Sequence, residues 1–399
     1  MSRYFTYNRM ELSGSLGDLG TILPLALGMV LVNDMDPRGV FFCFGLYYLV
    51  SGYYFKVTTP VEPMKVIAAY ALASGLSASQ IQASCLLIAV ILLVLGGTNL
   101  ISAVRNTIPL AVVRGVQLST GTLLIMKGIH LMTGTSPIQL VHQAAEPYLS
   151  IQSIGVVPVG IIIGISLSAL TLYLYNNSRV PAAVTVVAIG FLIGVLFHES
   201  ADNESLGFQL SLPSFLPYGI PTLADFSFAL MVLVLPQIPM TVGNAVIANA
   251  DLCAGYFPET GKKVTGRSLC LSMGVANFIV FFLGGIPMCH GAGGLASRYR
   301  FGARTAGSNV IIGAIFIALV ILFGKNILTI LHHIPLATLG VLLIFAGIQL
   351  SLTLLDVSAR KDMFVVIIIL GLTLVLNLAV GFLVGIVLAL ILKSEKLAV

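Results

Sequence analysis

Apolar runs long enough to cross a bilayer recur along almost the whole chain, from Leu16 to Leu392. A spanning helix needs about 20 such residues. Inside hydrocarbon every backbone polar group must be satisfied within the protein, which leaves such a chain little choice but a bundle of helices. Composition closes the other routes. Of 399 residues, 58% are hydrophobic and only 9% charged, against about 25% charged in soluble domains. A soluble enzyme, a disordered chain and a nucleic-acid binder are excluded on that ground. The 40 glycines and 17 prolines do not oppose this, because both are frequent in membrane helices. Cys43, Cys85, Cys253, Cys270 and Cys289 form no C-x-x-C pair. They read as small apolar residues, so neither a disulfide, a metal site nor any other cofactor is expected. Residues 1–15 lack the pattern of a cleaved signal peptide, and the first helix is expected to be retained.

Fourteen hydrophobic segments are read at 16–32, 38–54, 61–74, 79–97, 107–130, 154–175, 180–197, 222–248, 264–284, 286–297, 304–324, 334–352, 363–377 and 378–392. The expected fold is an all-α polytopic membrane protein, a single membrane domain over 1–399 with no soluble domain. Alternating the segments from a cytoplasmic N-terminus puts fifteen basic residues inside: Arg3, Arg9, Lys56, Arg105, Arg179, Lys262, Lys263, Arg267, Arg298, Arg300, Arg304, Arg360, Lys361, Lys393 and Lys396. Only Arg38, Lys127 and Lys325 fall outside, with the acidic loops Asn33–Asp36 and His198–Glu204. Cytoplasmic loops carry the excess of Lys and Arg, so both termini are expected in the cytoplasm, of a plasma membrane or a bacterial inner membrane.

The chain also repeats itself. Ile108-Pro109-Leu110-Ala111 recurs as Ile334-Pro335-Leu336-Ala337, Pro63-Met64 as Pro287-Met288, and Leu23-Pro24-Leu25 resembles Ile238-Pro239-Met240. Matches in one order at similar shifts indicate a duplication, with halves of about 1–212 and 213–399. Seven segments per half invert the second repeat against the first, the plan of many secondary transporters. In such folds the site lies where matching segments of the two halves are short and interrupted. The pair here is 61–74 and 286–297, each a half-helix preceded by extended β-branched or proline-rich chain. Each helical part is about 18 Å long. Two such starts near the midplane aim free N–H groups and partial positive charge at one point. Gly291, Gly293 and Gly294 let backbone amides come close to a ligand, and no acidic residue occurs between Glu259 and Asp356. The site is therefore expected to bind an anion.

Several sharper readings are weaker. Gly291-Ala292-Gly293-Gly294-Leu295-Ala296 fits the dinucleotide fingerprint, but no βαβ unit surrounds it. Cys289-His290 lacks a third orienting group for a thiol enzyme. His290 divides evenly between a ligand-facing and a packing role, and His332-His333 reads as an interfacial pair. Asp18, Glu62, Lys65 and Arg114 are the deepest ionisable residues, functional by default in a membrane. The bland reading for Lys65 is an ion pair with Glu62 or Asp18, and for Arg114 a snorkelling or paired position near its helix end.

The motifs Gly17-Asp18-Leu19-Gly20-Thr21, Pro60-Val61-Glu62-Pro63-Met64-Lys65, Pro236-Gln237-Ile238-Pro239-Met240-Thr241-Val242-Gly243-Asn244, Pro287-Met288-Cys289-His290-Gly291-Ala292-Gly293-Gly294 and Tyr299-Arg300-Phe301-Gly302-Ala303-Arg304 resemble the molybdate transporter family, which is related to the sulfate permeases. The resemblance runs from about Asn8 to the last helix. It implies the seven-plus-seven fold shared with uracil and sulfate permeases, a core domain moving against a gate domain, and possible homodimers. It departs in two places, Glu62 and Arg298, where the family usually has Gln. The implied activity is secondary active uptake of a tetrahedral oxyanion by alternating access, molybdate first, with sulfate or tungstate next. The alternatives are a sulfate permease or a carrier of a carboxylate or nucleobase. Expected substrate contacts are Glu62, Met64 and Lys65 on the first half-helix, and Cys289, His290, Gly291, Ala292 and Gly293 on the second. Thr21, Gln237 and Asn244 complete the set, with Asp18 and Glu62 as candidates for coupling to a co-transported proton.

Overall fold

The computed structural model describes residues 4–98, 100–101, 109–175, 177, 180–198 and 210–393. Arg3, Arg105, Arg179 and Lys396 of the basic count, residues 199–204 of the acidic loop and Ile108 of the repeat lie outside the described residues.

The protein is mostly helical. The N-terminal part runs α1 (Arg9–Ser15), α2 (Leu19–Val32), α3 (Pro37–Phe55), strand β1 (Glu62–Pro63), α4 (Lys65–Ser74), α5 (Ala78–Thr98), α6 (Leu110–Thr133) and α7 (Pro137–His142). A surface hairpin of β2 (Ser153–Ile154) and β3 (Val157–Pro158) leads to α8 (Val159–Leu174) and α9 (Ala182–Phe197). A continuous helix α10 spans Leu223–Tyr256. It is followed by α11 (Gly266–Leu283), β4 (Met288–Cys289), α12 (Ala292–Arg300), α13 (Gly307–Phe323), α14 (Asn326–His332), α15 (Leu336–Ser351), α16 (Arg360–Val375) and α17 (Leu378–Ile391). Among the described residues four helices are long and apolar enough to cross a membrane, or six if each bent pair, α1 with α2 and α13 with α14, counts as one span.

Local chemistry places the boundaries. Asp36 accepts from the Arg38 amide at 2.9 Å and starts α3 with Pro37 in its first position, where the missing proline N–H costs nothing. Asn377 separates α16 from α17 by capping the latter through Val380 N at 3.0 Å. Gly134 and Gly284 end α6 and α11 in the left-handed conformation, which lacks a Cβ penalty only in glycine. Pro236 and Pro239 sit within α10, flanked by π-helical turns at Ala229–Val234 and Thr241–Ala248. Proline removes a helical hydrogen bond, and π turns inside α-helices gather at functional sites.

The helices pack in two groups. In one, α3 lies on α13, α5 on α11, and α12 on α10. In the other, α6 lies on α15 and α16, with α8 and α17 beside them. Backbone-to-backbone approach holds the key pairs. A β-carbon at Gly128 would come 2.5 Å from the Gly340 carbonyl oxygen, and one at Gly340 would come 2.6 Å from that of Gly128. Without a hydrophobic drive between helices in lipid, such small-residue contacts supply the association. The half-helix α4 packs against α6, and α2 against α15, so the groups meet around the first turns of α4 and α12.

One expectation is corrected here. The second half-helix begins at Ala292 and continues to Arg300. Arg298 is therefore a fully buried helical residue, not a loop cation. Its guanidinium donates to Asp18 Oδ1 at 3.1 Å, Thr58 Oγ1 at 2.9 Å, Ser308 Oγ at 3.0 Å and Asn309 Oδ1 at 2.9 Å.

Candidate functional site

The two half-helices meet through their extended leaders. β1 pairs antiparallel with β4, with Glu62 opposite Cys289 and Pro63 opposite Met288. Met64 N donates to the Pro287 carbonyl at 2.8 Å. β-Branched and proline residues at Val57–Val61 disfavour helix and leave this chain extended. Its polar backbone, far from water, must then find partners. Two asparagines supply them. Asn309 takes the Thr59 amide on Oδ1 (3.0 Å) and gives Nδ2 to the Thr59 carbonyl (2.9 Å). Asn277 does the same for Met288, at 2.9 and 2.8 Å.

His290 belongs to this scaffold. Its buried ring donates from Nδ1 to the Pro60 carbonyl at 2.6 Å, which leaves Nε2 to accept from Tyr47 at 2.7 Å. Its backbone carbonyl accepts from Asn249 Nδ2 at 2.5 Å. The ring ties the two extended segments together, the packing side of the two roles open to it.

The two helix starts differ. Gln237 Oε1 accepts from Val66 N at 3.0 Å and Ile67 N at 3.3 Å, so the first turn of α4 is already capped. Among the described residues no side chain caps α12. Its first turn instead faces the Glu62 carboxylate. A β-carbon on Gly294 would stand 2.6 Å from Glu62 Oε1, and one on Gly291 would collide with Oε2. Both Glu62 oxygens are buried without a hydrogen bond, and Oε2 is 3.2 Å from Lys65 Nζ. Gly293 faces open space, with Lys65 Nζ 3.9 Å from where its β-carbon would be.

That space is a cavity of about 240 Å³. Thr21, Lys65, Asn244 and Gly293 line it from one helix group, and Gln117, Leu124, Gln349 and Thr353 from the other. Four of the expected contact residues thus converge. Glu62 and Gly291 stand behind them at the start of α12, Met64, Cys289 and Ala292 are buried in the crossing, and Gln237 is spent as a cap. Asp18 does not reach the cavity lining: its carboxylate is taken by Arg298 and by Tyr48, whose hydroxyl donates at 2.5 Å. The sequence reading missed Gln117, Gln349 and Thr353. For Gln117 and Gln349 a signal is visible afterwards, as amides within the hydrophobic segments 107–130 and 334–352, while Thr353 falls one residue past the second segment.

A second cavity, of about 480 Å³, shares Gln117, Met240, Asn244 and Thr353 with the first and extends to Arg114. Arg114 is paired with Asp356 (Nε to Oδ1 2.8 Å) and donates to Gln117 Oε1 at 2.7 Å. The two cavities adjoin at these shared residues, one at the half-helix crossing and the other reaching Arg114.

This geometry has relatives. The family model described as "Molybdate transporter of MFS superfamily" matches residues 10–124 and 229–350, more than half of the chain. The chain belongs to the molybdate transporter family. It is 33% identical to Molybdate transporter 2 of Arabidopsis thaliana, over 97% of this chain and 88% of the relative. Molybdate transporter 1 of Chlamydomonas reinhardtii is 29% identical over 94% and 90%. Among solved structures, the transmembrane domain of a cyanobacterial bicarbonate transporter, BicA, superposes with a TM-score of 0.67 at 15% identity, covering 96% of this chain and 98% of that one. Murine Slc26a9, an anion transporter in the inward-facing state, gives 0.69 at 14% identity, over 98% and 70%. This member of the molybdate transporter family is an integral, multi-pass membrane transporter of anions and not an enzyme.

Proposed function

We propose that the protein takes up a tetrahedral oxyanion, molybdate before sulfate or tungstate, by alternating access. The observation that carries this reading is the cavity in which the Lys65 ammonium and the uncapped start of α12 at Gly293 face the same space. A helix start acts as about half a positive charge, and Lys65 adds a whole one. Thr21, Asn244, Gln117 and Gln349 supply neutral donors from other directions, which suits four oxygens better than a planar ligand. None of the described lining residues is aromatic, so a nucleobase would find no stacking surface. The relatives named as molybdate transporters support the same cargo.

The motion is read from the repeat. Fourteen segments in two inverted sevens explain why packing partners exchange between halves. α3 on α13 answers α11 on α5. With both termini cytoplasmic, the cavity that reaches Arg114 opens inward. Glu62 is the coupling candidate. A fixed carboxylate about 4 Å from one charge of a dianion repels it by roughly 4 kcal/mol at an effective dielectric of 20, and a proton on Glu62 removes that term. The protein reconstituted in liposomes should show saturable molybdate uptake, driven by an inward proton gradient and competed by sulfate or tungstate. Saturable uptake of uracil or a carboxylate with no oxyanion flux would overturn the reading.

A further inference from the structure

Between α3 and α11 runs a groove of about 270 Å³ that shares no lining residue with the substrate cavity. The two helices touch, but each has its main partner elsewhere, α3 on α13 and α11 on α5. Leu46 and Val50 line the groove from α3, and Leu271, Val275 and Ile279 from α11. Val50, Val275 and Ile279 are exposed, and α11 is long and apolar enough to cross a membrane, so the open side of the groove faces the bilayer. Below its rim the hydroxyls are already bonded. Those of Tyr47 and Ser272 lie 2.7 and 3.1 Å from His290 Nε2. Ser51 donates to the Tyr48 carbonyl at 3.2 Å and Ser268 to the Lys263 carbonyl at 2.6 Å. What enters must therefore be apolar, since a polar group would leave water and gain no partner.

The groove has a depth and a charged end. From Cys43 to Tyr54, both in its lining, α3 rises about 17 Å. That is close to half of a hydrocarbon core of about 30 Å, the depth of one leaflet. At the Tyr54 end, Lys263 Nζ lies 5.8 Å from the centre of the tyrosine ring. Lys262 and Arg267 flank it in the chain, all three are exposed, and no ion pair among the described residues includes them. The acid in this stretch is Glu259, so cations prevail at this end. Aromatic residues sit at headgroup level, and lysines there attract anionic lipids.

We infer that this groove binds an anionic glycerophospholipid, with one acyl chain between α3 and α11 and the phosphate at Lys263. Its floor includes Met288 and reaches His290 through Tyr47 and Ser272, so the chain braces the back of the paired leaders β1 and β4. The site does not depend on which ion is carried. The test titrates the purified protein in detergent with phosphatidylglycerol or phosphatidylcholine, and reads retained lipid by native mass spectrometry together with the melting midpoint. The wild type should retain phosphatidylglycerol in preference to phosphatidylcholine and melt higher with it. Lys263→Gln should weaken phosphatidylglycerol binding about fivefold, or about 1 kcal/mol, the worth of one lysine at an anionic surface, and Lys263→Arg should retain it. Val275→Phe, which fills the groove from its exposed side, should abolish the retained lipid without lowering the midpoint of the lipid-free protein. A phosphatidylglycerol with a photoreactive acyl chain should label residues 46–54 or 268–279. Equal retention of the two lipids, label confined to other helices, or retention unchanged in both Lys263→Gln and Val275→Phe would overturn the site. A lipid-free dimer in which the groove is covered would assign it to a second copy of the chain instead.

Discussion

Glu62 Oε2 stands 3.2 Å from Lys65 Nζ, one helical turn apart, while the same carboxylate covers the first turn of α12. Glu62 thus occupies, as a tethered anion, the uncapped helix start that would serve a free one. Glu62→Gln should keep molybdate binding and flatten its dependence on pH, with weaker accumulation against a gradient. Binding measured from pH 5 to 8 checks this; the same slope as the wild type would remove Glu62 from coupling.

Gly293 looks onto the cavity and Gly291 onto Glu62. Gly293→Ala adds a methyl at ordinary contact distance from Lys65 and should reduce transport modestly, whereas Gly293→Leu fills the space and should abolish uptake at normal expression. Gly291→Val collides with Glu62 instead, so it should also lower the melting temperature. Near-normal transport by Gly293→Leu would place the anion elsewhere.

Arg298 and Asp18 are both fully buried. Removing one partner of such a pair leaves an uncompensated charge, at a cost of about 3–5 kcal/mol. Arg298→Gln, which installs the residue usual in the family, should therefore sharply lower the thermal midpoint in detergent, and adding Asp18→Asn should recover most of it. If the single variant melts like the wild type, the pair contributes no stability.

Glu146 lies in the loop after α7, and burial raises its carboxyl to about 7 although the Leu336 and Ala337 amides pull it down. A raised native value means the folded state holds the proton more tightly. The stabilisation is full below pH 4.5 and is lost as pH climbs through about 7. The midpoint of the wild type should accordingly fall between about pH 5 and 8 relative to Glu146→Gln. Parallel melting curves across that range would contradict the assignment.

The sequence made the helices legible because the apolar runs are long and are broken by polar or turn residues, as at Asp36, Gly134 and Asn377. It also located the crossing, since Thr58-Thr59-Pro60 and Ile286-Pro287 favour extended chain just before each short helix. Side-chain destinations were harder to read. Gln237 and Asn244, seven apart, share a face in an α-helix, but the π turns of α10 shift the register, and only Asn244 reaches the cavity while Gln237 caps α4. Arg298 was counted with the cytoplasmic cations because the apolar segment 286–297 stops one residue before it, while its counter-charge, Asp18, is 280 residues away. No local pattern announces such a partner. Gln117, Gln349 and Thr353 were overlooked for a related reason: single polar residues in apolar helices resemble packing positions until two helix groups are brought face to face.

The paired leaders β1 and β4 have a consequence for how such a protein can change. Pinned by Asn277, Asn309 and His290, they hold the starts of α4 and α12 as one inflexible clasp. Gln117, Gln349 and Thr353 come from the opposing helices. Substitutions in the clasp should alter which ion is chosen. Those on the opposing wall should alter how often the door swings. Cargo and tempo are thus written on separate parts of the chain, and each can drift without erasing the other.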